Sequence, residues 1–167
     1  MQTTIPQYQM ERGFPGQLAE HDTPQRIVSR FNAEATAAIP WGVLVAEDTA
    51  SAQGVKLLAA ATDKVAGVTV YSARHGYEAY SGTGLKPKEI LNVLAQGAVL
   101  VRVEQAVVKG DRAFARFAGT GQKGAFRKDA DTANAVELKG AMYLTSAAAN
   151  GIAVLLLDAN TIRAGQT

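Results

Sequence analysis

From Arg26 to Leu157 the chain is a succession of short apolar runs, each broken by glycine, aspartate or asparagine. Residues 26–31 hold Ile27, Val28 and Phe31 with no helix cap, and residues 41–46 are apolar nearly throughout, as a strand covered on both faces would be. Runs at 55–58 and 64–70 follow, and Gly67 inside the second predicts a bulge or bend. Residues 90–96 and 98–104 flank Gly97; in the latter, Val99, Val101 and Val103 alternate with Leu100, Arg102 and Glu104. The same period of two recurs over 111–117, with Ala113, Ala115 and Phe117 set against Arg112, Phe114 and Arg116. Further runs at 135–138, 141–145 and 151–157 complete the series. Lys109-Gly110-Asp111 and Asn150-Gly151 are the strongest hairpin signals. Alanine triplets at 59–61 and 147–149 are too short for independent helices, and one short helix is expected over 86–93, around Pro87.

Strands of about five residues at this spacing predict an all-β fold, a compact β-sandwich or jelly-roll-like barrel. Its expected core contains Trp41, Val43, Val68, Val99, Val101, Phe117, Leu144 and Val154. The first 25 residues differ. They hold Pro6, Pro15 and Pro24 and show no apolar period, so they read as an extended N-terminal arm. Ile5, Tyr8, Met10, Phe14 and Leu18 are too many large apolar groups for a solvated tail, so the arm is expected to clasp a neighbour or to form a first edge strand. The expected organisation is an arm at 1–25, one β-domain at 26–160 and a tail at 161–167.

Composition narrows the chemistry. The 167 residues make about one domain. With 47% hydrophobic and 19% charged residues, wholesale disorder is excluded. The absence of cysteine removes disulfides, thiolate nucleophiles and thiolate metal sites, and a reducing cytoplasm is the expected place of folding. No apolar window is long enough to span a membrane as a helix, and the start lacks a secretory pattern. The net charge of +2 comes from scattered residues, which argues against nucleic acid as the main partner.

Several apparent motifs fail on context. Gly119-Thr120-Gly121-Gln122-Lys123-Gly124 spells a dinucleotide fingerprint, but no amphipathic helix follows to carry a pyrophosphate, so a hairpin loop is expected. Asp129, Asp131 and Asn134 offer oxygens, yet the calcium-loop spacing breaks at Ala133 and Gly140. His21 and His75 are too few for a metalloenzyme cluster, and no serine sits in a nucleophile-elbow setting. The sequence therefore predicts no catalytic residue, no metal and no cofactor. The loop at 72–82 is richer: Arg74, Tyr77 and Tyr80 have the chemistry of protein contact anchors, or simply cover a sheet end.

Gly13-Phe14-Pro15-Gly16-Gln17-Leu18-Ala19, Ile39-Pro40-Trp41-Gly42, Lys109-Gly110-Asp111-Arg112-Ala113-Phe114-Ala115-Arg116-Phe117 and Gly140-Ala141-Met142-Tyr143-Leu144-Thr145-Ser146 give the chain a resemblance to a known family. It resembles the structural cement, or capsid decoration, proteins of tailed bacteriophages, with departures at 1–11 and 162–167. The resemblance implies a non-enzymatic protein on the outer capsid surface of the virion, made in the host bacterial cytoplasm. The implied partners are the major capsid protein and other copies of the chain, as a dimer or trimer, without nucleic acid or membrane. Ile5, Tyr8, Met10, Phe14, Leu18, Arg74, Tyr77 and Tyr80 are the candidate contact residues. Two other readings stay open: a virion carbohydrate- or receptor-binding β-domain stacking ligands on Trp41, Tyr77 and Tyr80, and a small β-barrel hydrolase.

Overall fold

The computed structural model describes residues 13–72 and 84–158. Nine strands run through the described residues: β1 (Arg26–Asn32), β2 (Leu44–Glu47), β3 (Gly54–Leu57), β4 (Val65–Val70), β5 (Ile90–Arg102), β6 (Arg112–Arg116), β7 (Phe126–Arg127), β8 (Ala135–Tyr143) and β9 (Ile152–Leu157). Among the described residues there is no α-helix, only one 3-10 turn at Asp131–Ala133.

The strand order is β1-β3-β2-β4-β5, and β1 pairs again with β5, so these five strands close into a barrel. All its pairings are antiparallel except β1 with β3. The second half of β5 leaves the barrel and leads a second sheet, β5-β9-β8-β6-β7. That sheet curls back on itself, because Phe126 of β7 bridges to Val103 just beyond β5. The all-β expectation holds, in its barrel form.

A change of face inside β5 makes one strand serve both sheets. Leu91 and Val93 point into a smaller core with Trp41, Val43, Val45 and Val55. Val99, Val101 and Val103, also odd-numbered, point into the main core with Phe126, Tyr143 and Leu155. Strict alternation would keep all five on one face, so one extra residue must intervene. It does: Arg26 pairs with Gln96 and Ile27 with Leu94, leaving Ala95 as the bulge. Gly97, at φ 125, follows. The two apolar runs at 90–96 and 98–104 are therefore one bent strand.

The helix expected over 86–93 is absent. Lys88 adopts φ 69 behind Pro87, and the Glu89 N–H closes a turn on the Lys86 carbonyl at 3.2 Å. Asn32 at the end of β1 then bonds to both sides of that turn, accepting from the Lys88 N–H and donating to the Glu89 carbonyl. Sheet pairing overrides local helix propensity here. Of the expected core, Trp41, Val43, Val68, Val99 and Val101 are buried, whereas Phe117, Leu144 and Val154 are only half-buried.

Candidate functional site

Residues 13–19 lie on the domain as an added strand beside β5. The Gly16 and Ala19 amides donate to the Leu100 and Ala98 carbonyls at 2.8 and 3.0 Å, and the Leu100 amide donates to Gln17. Leu18 pairs with Val99 and packs on the main core. Phe14 is half-buried, its ring edge-on to Tyr71 at 4.9 Å, and Tyr71 in turn meets Trp41 at 5.8 Å. Glycine is required at Gly42, because a β-carbon there would lie 2.6 Å from the Gly16 nitrogen.

Of the eight contact residues expected from sequence, the structure thus places Phe14 and Leu18 against their own domain. Ile5, Tyr8, Met10, Arg74, Tyr77 and Tyr80 lie outside the described residues. Gly13 and Gly84 are lining residues of a cleft of about 680 Å³, whose walls include Phe14, Pro15, Pro40 and Trp41. Trp41 itself is 8% exposed.

Across the cleft, Arg102, Glu104 and Gln122 supply polar atoms. Glu104 belongs to an ion cluster that was not legible in the sequence. Arg116 holds it with two bonds, Nε to Oε1 at 2.7 Å and Nη2 to Oε2 at 2.8 Å, and Arg127 Nη1 adds a third at 3.0 Å. Asp131 Oδ2 lies 2.8 Å from Arg116 Nη1, and Asp129 Oδ1 accepts from Arg127 Nε and Nη2 at 2.9 and 2.7 Å. The two arginines are nearly buried, with side chains 7% and 10% exposed. Glu104 and then Asp131 hold the Arg116 guanidinium above its ordinary range, against the opposing effect of burial. A hydrogen bond from Gln105, with help from Arg127, holds the Asp129 carboxyl below the usual carboxylate range.

This cluster answers two questions left by the sequence. Asp129 pairs with Arg127, and Asp131 with both Arg116 and Arg127. Arg116 also explains why β6 breaks its alternation: Ala113 and Ala115 are buried as expected, and Arg116 is buried by its ion pairs. The glycine-rich run 119–124 is the loop between β6 and β7. A β-carbon on Gly124 would lie 2.3 Å from the Leu44 carbonyl oxygen, so this glycine permits close approach of the second sheet to β2.

The architecture recurs in a solved structure. A chain in the capsid of Myoviridae phage XM1 superposes with a TM-score of 0.71 over 95% of this chain and 97% of its own, at 16% identity, a level that speaks to the fold. No individually curated protein matches the sequence. The family profile described as structural cement protein (E217 gp24/Pam3 gp6) matches residues 1–158, and the chain belongs to that family.

Proposed function

We propose that the chain is a non-enzymatic cement protein that binds the outer surface of an assembled phage head and ties neighbouring major capsid subunits together. Family membership across residues 1–158 carries this reading. The likeness to a chain from a phage capsid agrees with it. The proposed contact residues are Ile5, Tyr8, Met10, Arg74, Tyr77 and Tyr80, and Gly13 and Gly84, where the described chain resumes after 1–12 and 73–83, both line the Phe14–Trp41 cleft. The proposed contact surface is that corner of the barrel.

The energetics asked of such a protein are modest. Each copy needs only a moderate interface, because self-association converts later contacts into intramolecular ones. A ligand that prefers the assembled lattice over separated subunits stabilises the lattice by mass action. Adding the purified protein to shells that lack it tests the reading. Saturable binding and a raised shell-disruption temperature are expected. Shells that neither bind the protein nor gain stability would refute it.

A further inference from the structure

Arg102 ends β5 on the side away from the main core, into which its neighbours Val101 and Val103 point. Its Nη1 donates to the Asn150 carbonyl at 2.7 Å. That carbonyl is itself held in place. Asn150 takes φ 63, a left-handed conformation that asparagine tolerates better than most residues. Its amide donates to the Val103 carbonyl at 2.8 Å, and the Val103 amide donates to the Gly151 carbonyl at 3.0 Å. The Arg102 guanidinium therefore stands at the cleft wall on a fixed seat, and among the described residues no carboxylate pairs with it. Glu104, two residues on, lines the same cleft, but its carboxylate already takes three bonds from Arg116 and Arg127. Phe14, Pro15 and Pro40 bring half-buried apolar surface to the cleft, whose volume is about 680 Å³.

We propose that this cleft receives a short peptide segment of a capsid subunit that carries a carboxylate close to an apolar side chain. The carboxylate pairs with Arg102, and the apolar group rests on Phe14, Pro15 and Pro40. The inference rests on the cement reading above and names the chemistry of the partner at that same corner. Charge selects the occupant. An arginine fork matches a carboxylate with two parallel bonds, and one already held in place loses less freedom on binding. A cationic side chain would meet Arg102, with Arg116 and Arg127 beside Glu104, and be repelled. A polyanion such as nucleic acid would bring further negative charge against Glu104, which keeps 23% of its side-chain exposure. One isolated carboxylate satisfies both constraints. Size and surface select the form: the cleft falls within the roughly 300–1,000 Å³ of small-ligand sites, which suits a few residues of extended chain. Grooves walled by aromatic and proline side chains favour such chains, whose backbone is already straight.

NMR titration of the full-length protein with acetyl-Pro-Leu-Asp-Leu amide tests this, beside the same peptide with Asn or Lys in place of Asp. The acidic peptide is expected to shift the amides of Phe14, Val103 and Gly151. The Asn peptide should bind about tenfold more weakly at low salt, and the Lys peptide more weakly still. Arg102→Gln should abolish the preference for Asp over Asn. Lys123→Gln removes the same charge from an exposed position outside the cleft lining and should keep that preference. Co-sedimentation with shells should show a loss of about tenfold for Arg102→Gln and none for Lys123→Gln. If Arg102→Gln fails to fold by circular dichroism, the contrast among the three peptides on the wild type still decides. A wild type that binds none of the peptides, or binds the Asn or Lys peptide as tightly as the Asp one, would overturn the inference. Peptide selectivity without any binding to shells would sink the cement role and leave the cleft's chemistry in place. Shell binding untouched by Arg102→Gln would leave the cement role standing and overturn the cleft as its contact.

Discussion

Arg116 shows how much one side chain can decide at the residue scale. Its guanidinium is withdrawn from water and makes four contacts, two with Glu104, one with Asp131 and one with the Ala118 carbonyl, the last at 3.0 Å. Removing such a partner leaves carboxylates facing each other without compensation, which in a fully buried pair costs roughly 3–5 kcal/mol. Glu104 and Asp131 keep 23% and 32% of their side-chain exposure, so water offsets part of that loss. Arg116→Met is therefore expected to destabilise the protein by about 2–3 kcal/mol in urea denaturation, less than for a fully buried pair. Asp129 gives the cluster a pH signature. Its folded pKa is lowered, chiefly by the Gln105 hydrogen bond, so its contribution is present above the unfolded value near 3.9 and is lost as pH falls through the folded value. In acid titrations of stability below about pH 5, Asp129→Asn should show a shallower decline than the wild type. An unchanged slope would mean that Asp129 contributes nothing to acid sensitivity.

At the scale of elements, glycine sets where strands may touch. Gly67 of β4 lies opposite Val45 at the irregular step of the β2–β4 pairing, with φ 144. A β-carbon there would sit 2.1 Å from the Leu94 carbonyl oxygen of β5. Strained backbone costs roughly 1–2 kcal/mol and overpacking roughly 1–3 more, so Gly67→Ala should lower stability by about 3 kcal/mol. A melting temperature equal to that of the wild type would show that β4 can shift without loss. The bulge that Gly67 announces is legible in the sequence, as are β1, β3, β4, β6 and β9, because their β-branched and alternating residues are decided locally. What escapes is decided at a distance. β5 reads as two strands because Gly97 looks like a break, although the bulge at Ala95 lets it serve two sheets. The turn at 86–89 reads as a helix start until Asn32 captures it from β1. β7, two residues long, has no period to read and exists because β6 and Val103 hold it. The ion cluster is hidden for the same reason, since Glu104, Arg116 and Arg127 come together only when those short strands pair.

For the whole molecule, the arm read from sequence at 1–25 divides into parts with different physics. Residues 13–19 exchange backbone hydrogen bonds with β5 and Tyr71, and Leu18 fills part of the main core. Their loss would remove the Leu18 partner of Val99, leave the Leu100 amide and the Ala98 and Leu100 carbonyls of β5 without their bonds, and remove the ring that Tyr71 meets edge-on. Residues 1–12 lie beyond that seam and hold Ile5, Tyr8 and Met10, which the proposed function assigns to contacts with capsid or neighbour. Two truncations separate these roles. Removal of residues 1–12 should leave the thermal transition within a few degrees of the wild type, since the Gly16 and Ala19 bonds to β5 and the Leu18 packing persist. The same truncation should weaken binding to shells by about tenfold or more, as loss of two or three buried apolar anchors would. Removal of residues 1–25 should lower the melting temperature markedly, because it opens the edge of β5 and empties the Leu18 site. Calorimetry and co-sedimentation with shells read the two effects separately. If the shorter truncation bound shells as tightly as the full chain, capsid contact would belong to the 73–83 loop or to the barrel surface, and the arm would be a structural strap alone.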